Sequence, residues 1–486
     1  MTSTLPLGVG MTRRRWLLVG IGITLATWMP RAEEDVAARI TGAALTRGGA
    51  LDFLETLTDT IGGRLTGSPQ NRAASELILA ALKEAGFENA HFEEYPLESR
   101  WQRGPAAARI VSPIARPILV GSMGWVPGTA GEITAPLRDV GVPASRDWVP
   151  SNDVRGAMVV VDPQQVGEDS GVVMRALIAQ RLAAAGATAM LIPSDKPGRM
   201  LYTSAFGFYP KGPLPVISVA REDALLLRRL LAKGPVTIAL DVRNTFDTNP
   251  YRQRNVIADL SGSASKDEVV LVGAHFDSWD FAQGANDDGA GVAAVLEAAR
   301  ILKSLGVTPR RTIRFAFFSG EEQACLGSRA YIVEHETELD RLKTVLIMDE
   351  GPQAPLGFQL HGRSDLEANA RKTLTPLTSL GAADVSLDAA FDQDHGPFVV
   401  VGVPAFTLRV EPGDYDIHHH AISDTFDKID PRLLAIDTAV MAVATWLFAD
   451  APNPVGRRLS EEEAEVVMKR SGVTSTRQLL YGSSRR

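Results

Sequence analysis

The stretch GAHFDSWDFAQGANDDGAG, residues 273–291, carries one histidine and four aspartates with no Lys or Arg. Carboxylates crowded together repel one another, so either water surrounds them in an open loop or a bound cation offsets their charge. Three later motifs add the same residue types: SGEEQACLGS with Glu321-Glu322, IMDEG with Asp349, and GDYDIHHHAISDT with His418-His419-His420. Imidazole and carboxylate without thiolate suit zinc or another borderline divalent ion. A catalytic position takes about three protein ligands and keeps one open for water. Two ions satisfy that count if Asp287 bridges them, with His275 and Asp349 on one and Glu322 and His420 on the other. Glu321 is then left free to act as general base toward an activated water.

Each of these residues also has an ordinary structural explanation. Glu321-Glu322 would favour a helix N-terminus, Asp287-Asp288 would suit a turn and cap, and the His run would suit a polar loop. Their joint placement is what argues for a site. His335-Glu336 does not extend it, because Leu339 breaks the H-E-x-x-H spacing. His91 and His361 have no sequence companions and read as structural. Cys325 is the single cysteine, so neither an intrachain disulfide nor a thiolate zinc site is expected. Its neighbourhood offers no histidine base for a catalytic thiol. No G-x-S-x-G elbow is present, which disfavours a serine hydrolase.

The elements that must position these residues follow from the hydrophobic pattern. From about residue 255, apolar runs (EVVLVGAH, TIRFAFFS, KTVLIMD, PAFTLRV) alternate with helical patterns, the last being PRLLAIDTAVMAVATWLFAD. That alternation predicts an α/β fold with a mixed, mainly parallel sheet sandwiched by helices. In such sheets ligands bind beyond the carboxyl ends of the strands. His275, Asp277, Glu321, Glu322 and Asp349 all fall there, and His420 follows PAFTLRV. Before this region, residues 51–97 read as helix, turn, helix and strand, with Ser68 capping, Pro69 in the first turn and Gly86 at the stop. Residues 106–249 change character to short runs broken by Gly and Pro, which suggests a β-rich insertion with helices near 173–185 and 221–233.

At 486 residues the chain is long enough for about two domains. The expected division is a signal or anchor at 1–32, one domain formed by 34–105 and 250–452, the insertion at 106–249, and a tail at 453–486. The segment MTRRRWLLVGIGITLATWMPRAEED, residues 11–35, has the three-part layout of an export signal and resembles a twin-arginine signal. Its apolar run is short against the roughly 20 residues of a membrane span. The expected location is therefore periplasmic or secreted, with membrane attachment only if the segment stays uncleaved. Lys and Arg total 50 against 58 Asp and Glu, a formal charge of −8, with no basic stripe. No nucleic-acid partner is expected, and monomer and homodimer both remain open.

Taken together, NVIADLSG, EVVLVGAHFDSWD, GANDDGAG, SGEEQACLGS, IMDEG and HHHAISDT resemble the co-catalytic zinc exopeptidases of metallopeptidase family 28. DTIGGRLTGSPQNRAASE is similar to the segment that precedes the family's inserted domain, and the insertion itself resembles a protease-associated domain. The resemblance implies two Zn2+ per chain, held by His275, Asp287, Glu322, Asp349 and His420, with Glu321 as catalytic base. It implies that Asp277 supports His275, and that Asp394 in DHGPFVVVGVP supports the site. His419 competes with His420, and Glu350 with Asp349, by one-place shifts. The implied substrate is a peptide or dipeptide cut near a free terminus. Aminopeptidase is the leading expectation and a carboxypeptidase Q-like carboxypeptidase or dipeptidase the alternative. A glutaminyl cyclase-like enzyme and an inactive binding module share the same scaffold.

Overall fold

The computed structural model describes residues 32–143, 145–164, 171–206 and 211–472. The segment expected to be a signal or anchor, 1–32, falls largely outside them, as do the last residues of the tail. Eight strands form the sheet that carries the site: β1 (His91–Leu97), β2 (Tyr251–Leu260), β3 (Ser265–His275), β4 (Arg311–Phe318), β5 (Leu342–Ile347), β6 (Pro355–Gln359), β7 (Asp384–Ser386) and β8 (Ala405–Val410). Their spatial order is β1-β2-β4-β3-β5-β8-β6-β7. The central four, β4-β3-β5-β8, are mutually parallel, while β1, β2 and β6 join antiparallel. Registers His275↔Phe318, Gly273↔Ile347 and Ile347↔Thr407 bring the carboxyl ends of these four strands to one edge.

The central strands are buried on both faces, as their nearly unbroken apolar sequences require. Helix Ala290–Ser304 and helix Pro431–Asp450 cover one face with Val292, Val295, Leu296, Val440 and Val443, all inaccessible to water. Pro431–Asp450 is the one helix among the described residues long and apolar enough to cross a membrane. Here it is a core element, since most of its length is buried inside the protein. Helices Leu326–Glu334 and His395–Val400 cover the other face around Phe318, Tyr331 and Phe398. Ser68 accepts from the Asn71 amide and Pro69 opens helix Pro69–Glu84, as the sequence indicates.

Two further elements complete the fold. PLGFQ forms β6, although Pro and Gly are uncommon inside strands. Gly357 has φ 147°, and a Cβ there would sit 2.0 Å from the Asp384 carbonyl oxygen, so only glycine lets β6 and β7 approach. The tail contributes helix Glu461–Arg470, opened by a Ser460/Glu463 capping box and docked through buried Ala464 and Met468.

Between β1 and β2 the chain builds a second eight-stranded sheet: Arg116–Ile118, Ala106–Ser112, Thr237–Val242, Ile133–Asp139, Met158–Val160, Ala189–Pro193, Val216–Val219 and Val120–Ser122 in spatial order. Helices Gly171–Ala184 and Arg221–Leu231 pack on it. The chain enters and leaves this unit through a two-stranded ribbon, Arg100–Gln102 against Thr245–Asp247. A cluster of Leu65, Trp101, Trp125 and Trp279 seals the junction.

Candidate metal centre

His275 is the last residue of β3, and its ring is held from both sides. Nδ1 lies 3.0 Å from the Asp277 carbonyl oxygen and 3.6 Å from the Asp277 carboxylate. Nε2 lies 3.1 Å from Asp349 Oδ1 and 3.2 Å from Asp287 Oδ1. The other oxygen of Asp287 lies 3.2 Å from His420 Nε2, which is itself 3.0 Å from Glu322 Oε2. One carboxylate thus offers one oxygen to each of two histidine–carboxylate pairs. His275, Asp287 and Asp349 form one cluster of ligand atoms, all within 4.8 Å of one another, and Asp287 belongs to a second with His420 and His419.

Local backbone explains this placement. Gly284 and Gly320 adopt left-handed φ of 63° and 82°, turning the chain sharply after β3 and β4. Glu321–Gln323 form a single 3-10 turn that sets the two glutamates side by side. Ala324 and Cys325 also have positive φ, a concentration of costly conformations typical of functional sites. Asp288 does not face the centre. It accepts from the His275 and Gly291 amides, at 3.2 and 3.0 Å, and so ties the strand end to the following helix.

The surrounding residues hold the acidic groups in place. Asp277 accepts from Thr66 Oγ1 at 2.7 Å and from the Glu321 amide at 3.3 Å. Asp424 accepts from the amides of Ala285, Asn286 and Asp287 and from the Asn286 side chain, at 2.7–3.2 Å. Arg64, fully buried, donates to the carbonyls of Gly62, Phe276, Gln283 and Gly284, at 2.6–3.2 Å. Burial pushes its guanidinium down to about 10, against the pull of Asp424, Asp277, Asp288 and Asp287. The cation missing from 273–291 therefore comes from a distant segment.

Charge crowding leaves its mark on titration. Burial pushes Asp349 up to about 6 and Glu322 and Asp394 up to about 7. Burial, then the Asp349 charge, raises Glu321 well above the ordinary carboxyl range. Asp287 is the exception: burial opposes ionisation, yet hydrogen bonds from His275 and His420 hold it well below that range. Burial opposes charging of the two histidines, but Asp349 beside His275 and Glu322 beside His420 carry both well above the usual value.

The donor set fits a pair of divalent ions. Imidazole nitrogens and carboxylate oxygens suit zinc, and Glu322 Oε1 is buried with no hydrogen-bond partner, a costly state unless something cationic meets it. The one-place ambiguities of the sequence have geometric answers. Asp349, not Glu350, reaches His275. His420 meets both Asp287 and Glu322, while the more exposed His419 stands 3.7 Å from Asp287. Asp394 lies within electrostatic reach of His275, Asp349 and Asp277, and it accepts from Ser328 Oγ at 2.5 Å. His361 is not isolated, since its ring stacks on that of His395 at 3.8 Å, and the half-buried His335 pairs with Glu93 at 3.0 Å. Arg64, Thr66 and Asp424 escaped prediction. Their only signal was proximity, to the turn glycines of GGRLTG and to His420.

A parallel-centred sheet with a carboxylate shared between two histidine arms at its carboxyl edge forms a candidate centre for a pair of metal ions. The family model of peptidase family M28 matches residues 255–445. Carboxypeptidase Q of Mus musculus is 30% identical over 437 residues, covering 87% of this chain and 91% of the relative. A peptidase M28 precursor from Shewanella amazonensis superposes with TM-score 0.80 at 29% identity, covering 88% of this chain and 99% of the other. BSAP, a zinc aminopeptidase from Bacillus subtilis, shares the fold with TM-score 0.65 at 23% identity over 85% and 97% of the two chains. The chain belongs to peptidase family M28.

Proposed function

We propose that this protein is a di-zinc exopeptidase that hydrolyses a peptide bond next to a free terminus. The observation that carries the reading is the Asp287 carboxylate, with one oxygen toward His275 and the other toward His420. His275 and Asp349 would hold one ion, Glu322 and His420 the other, with Asp287 common to both. Bound zinc supplies Lewis acidity toward water and toward a carbonyl oxygen. The chain's own part is proton transfer and orientation. Glu321, raised in pKa and beside the ligands, takes the proton of the attacking water and delivers it to the leaving amine. Asp277 keeps the His275 ring in the orientation that presents Nε2 to the ion.

The charges of Asp349, Asp392 and Asp416 all act on Glu350, and an acidic neighbourhood attracts a free amine, which supports aminopeptidase action. Similarity to carboxypeptidase Q over most of the chain supports a second reading, carboxypeptidase or dipeptidase. Digestion of one tripeptide of three different residues separates them: the amino-terminal residue appears first in one case, the carboxyl-terminal residue in the other. Metal analysis should give two zinc ions per chain, and one would favour a glutaminyl cyclase-like reaction instead. We further read 106–249 as a protease-associated-like insertion and 1–32 as an export signal or anchor, the latter checked by N-terminal sequencing of the mature protein.

A further inference from the structure

His420 has φ 58°, a left-handed conformation that a residue with a side chain keeps only where its surroundings impose it. What imposes it comes from the second sheet's unit. The Thr203 amide donates to the His420 carbonyl at 2.8 Å, and the Ile422 amide donates to the Leu201 carbonyl at 3.2 Å. Tyr202 forms an antiparallel bridge with Ala421, and its ring lies 5.9 Å from that of His420. The Lys196 ammonium donates to the Asp416 carbonyl on the same loop.

The segment that makes these contacts is itself tied down. Gly124 donates to the Ser204 carbonyl at 2.9 Å, and Arg175 donates to Ala205 at 2.7 Å. Arg103, next to the connecting ribbon, donates to Thr203 Oγ1 at 3.1 Å, to Ser122 and, at 2.8 Å, to Asp280 just beyond β3. Gly124 sits under Trp279, so closely that a Cβ would fall 2.3 Å from the indole. By contrast, the hydrogen bonds that hold His275 and Asp349 come from Asp288, Asp277 and Gln393, all of the main sheet's unit.

We propose that the inserted unit is a positioning element for one of the two metal positions: Leu201–Thr203 sets the backbone of His420, and Arg103 locks that segment to the loop after β3. The proposal rests on the di-zinc reading of the centre. Its consequence is asymmetric. Loosening the contact weakens zinc at the Glu322/His420 position and leaves the His275/Asp349 position filled.

The test is zinc titration and metal analysis on the purified full chain, with circular dichroism and melting as checks on folding. The variants are Arg103→Ala, Thr203→Pro, which deletes the donor to His420, and Lys196→Ala, a milder change away from the ribbon. We expect two zinc ions in the wild type. In each folded variant one zinc should stay tight and the other weaken roughly 10- to 100-fold, the range for residues that orient a ligand. Arg103→Lys should recover part of that loss. Folded variants that bind both ions like wild type overturn the proposal, as do variants that lose both together, since that marks a merely structural role. Should Thr203→Pro fail to fold, Arg103→Ala and Lys196→Ala decide. A wild type with fewer than two zinc ions refutes the reading of the centre instead.

Discussion

The two histidine arms of the centre are built differently. His275 and Asp349 continue β3 and β5 out of the main core and are almost inaccessible, at 1% and 7% exposure. Glu322 and His420 sit on a 3-10 turn and on a loop with a left-handed residue, and the second arm leans on a unit inserted some 200 positions earlier in sequence. One arm inherits its geometry from the sheet; the other acquires it through long-range contacts. Stability of the first is therefore stability of the fold, whereas the second can be loosened while the fold survives.

Glu321 belongs to neither arm, and replacing it gives the largest effect on the list of possible changes. Glu321→Gln should lower kcat by about 10²- to 10⁴-fold, the usual contribution of a positioned acid–base group. Zinc content should remain at two per chain by metal analysis. If zinc were lost along with turnover, Glu321 would be a ligand and the division into arms would be drawn in the wrong place.

A smaller effect sharpens the division. Among the metal-ligand side chains Asp277 contacts His275 alone, its other partners being Thr66 and the Glu321 amide, so Asp277→Asn should weaken zinc chiefly at the His275 position, by roughly 10- to 100-fold. Asp424 fixes the 285–287 loop that carries the shared carboxylate. Asp424→Asn should therefore weaken both positions together. Zinc titrations that showed the reverse pattern would mean that Asp287 is held chiefly by its histidines and not by its loop.

The same difference explains what could be read from the sequence. The central strands are long apolar runs, so their ends, and with them His275, Glu321, Glu322 and Asp349, were predictable from period and polarity alone. β6 was not, because Pro355 and Gly357 look like loop and the reason for the glycine is a backbone contact with Asp384 across the sheet. Arg64 was hidden for a related reason. It serves four carbonyl oxygens, which every residue has, so no side-chain pattern announces its partners. The support of His420 by Leu201–Thr203 was hidden because it uses main-chain groups on both sides. What the sequence conceals here is backbone recognition between distant segments.

The smallest expected effect concerns pH, and it also distinguishes the arms. Without metal, burial holds the Asp349 carboxyl up at about 6 and that of Glu322 up at about 7. Between an unfolded value near 4 and those values, the folded protein binds more protons than the unfolded chain, so metal-free stability falls as pH rises. His275 and His420, also raised, act in the same direction, because the stability they lend below their unfolded value is lost as pH climbs through the folded one. Zinc takes the place of these protons and removes the penalty. The rise in Tm on adding zinc should therefore be greater by a few degrees at about pH 7.5 than at about pH 5.5. As pH is lowered, protons compete with zinc at Glu322 and Asp349 alike, and the less firmly supported Glu322/His420 position should empty first, leaving one zinc bound over an interval of pH. Loss of both ions in a single step would show that the shared Asp287 couples the arms more strongly than their separate supports divide them.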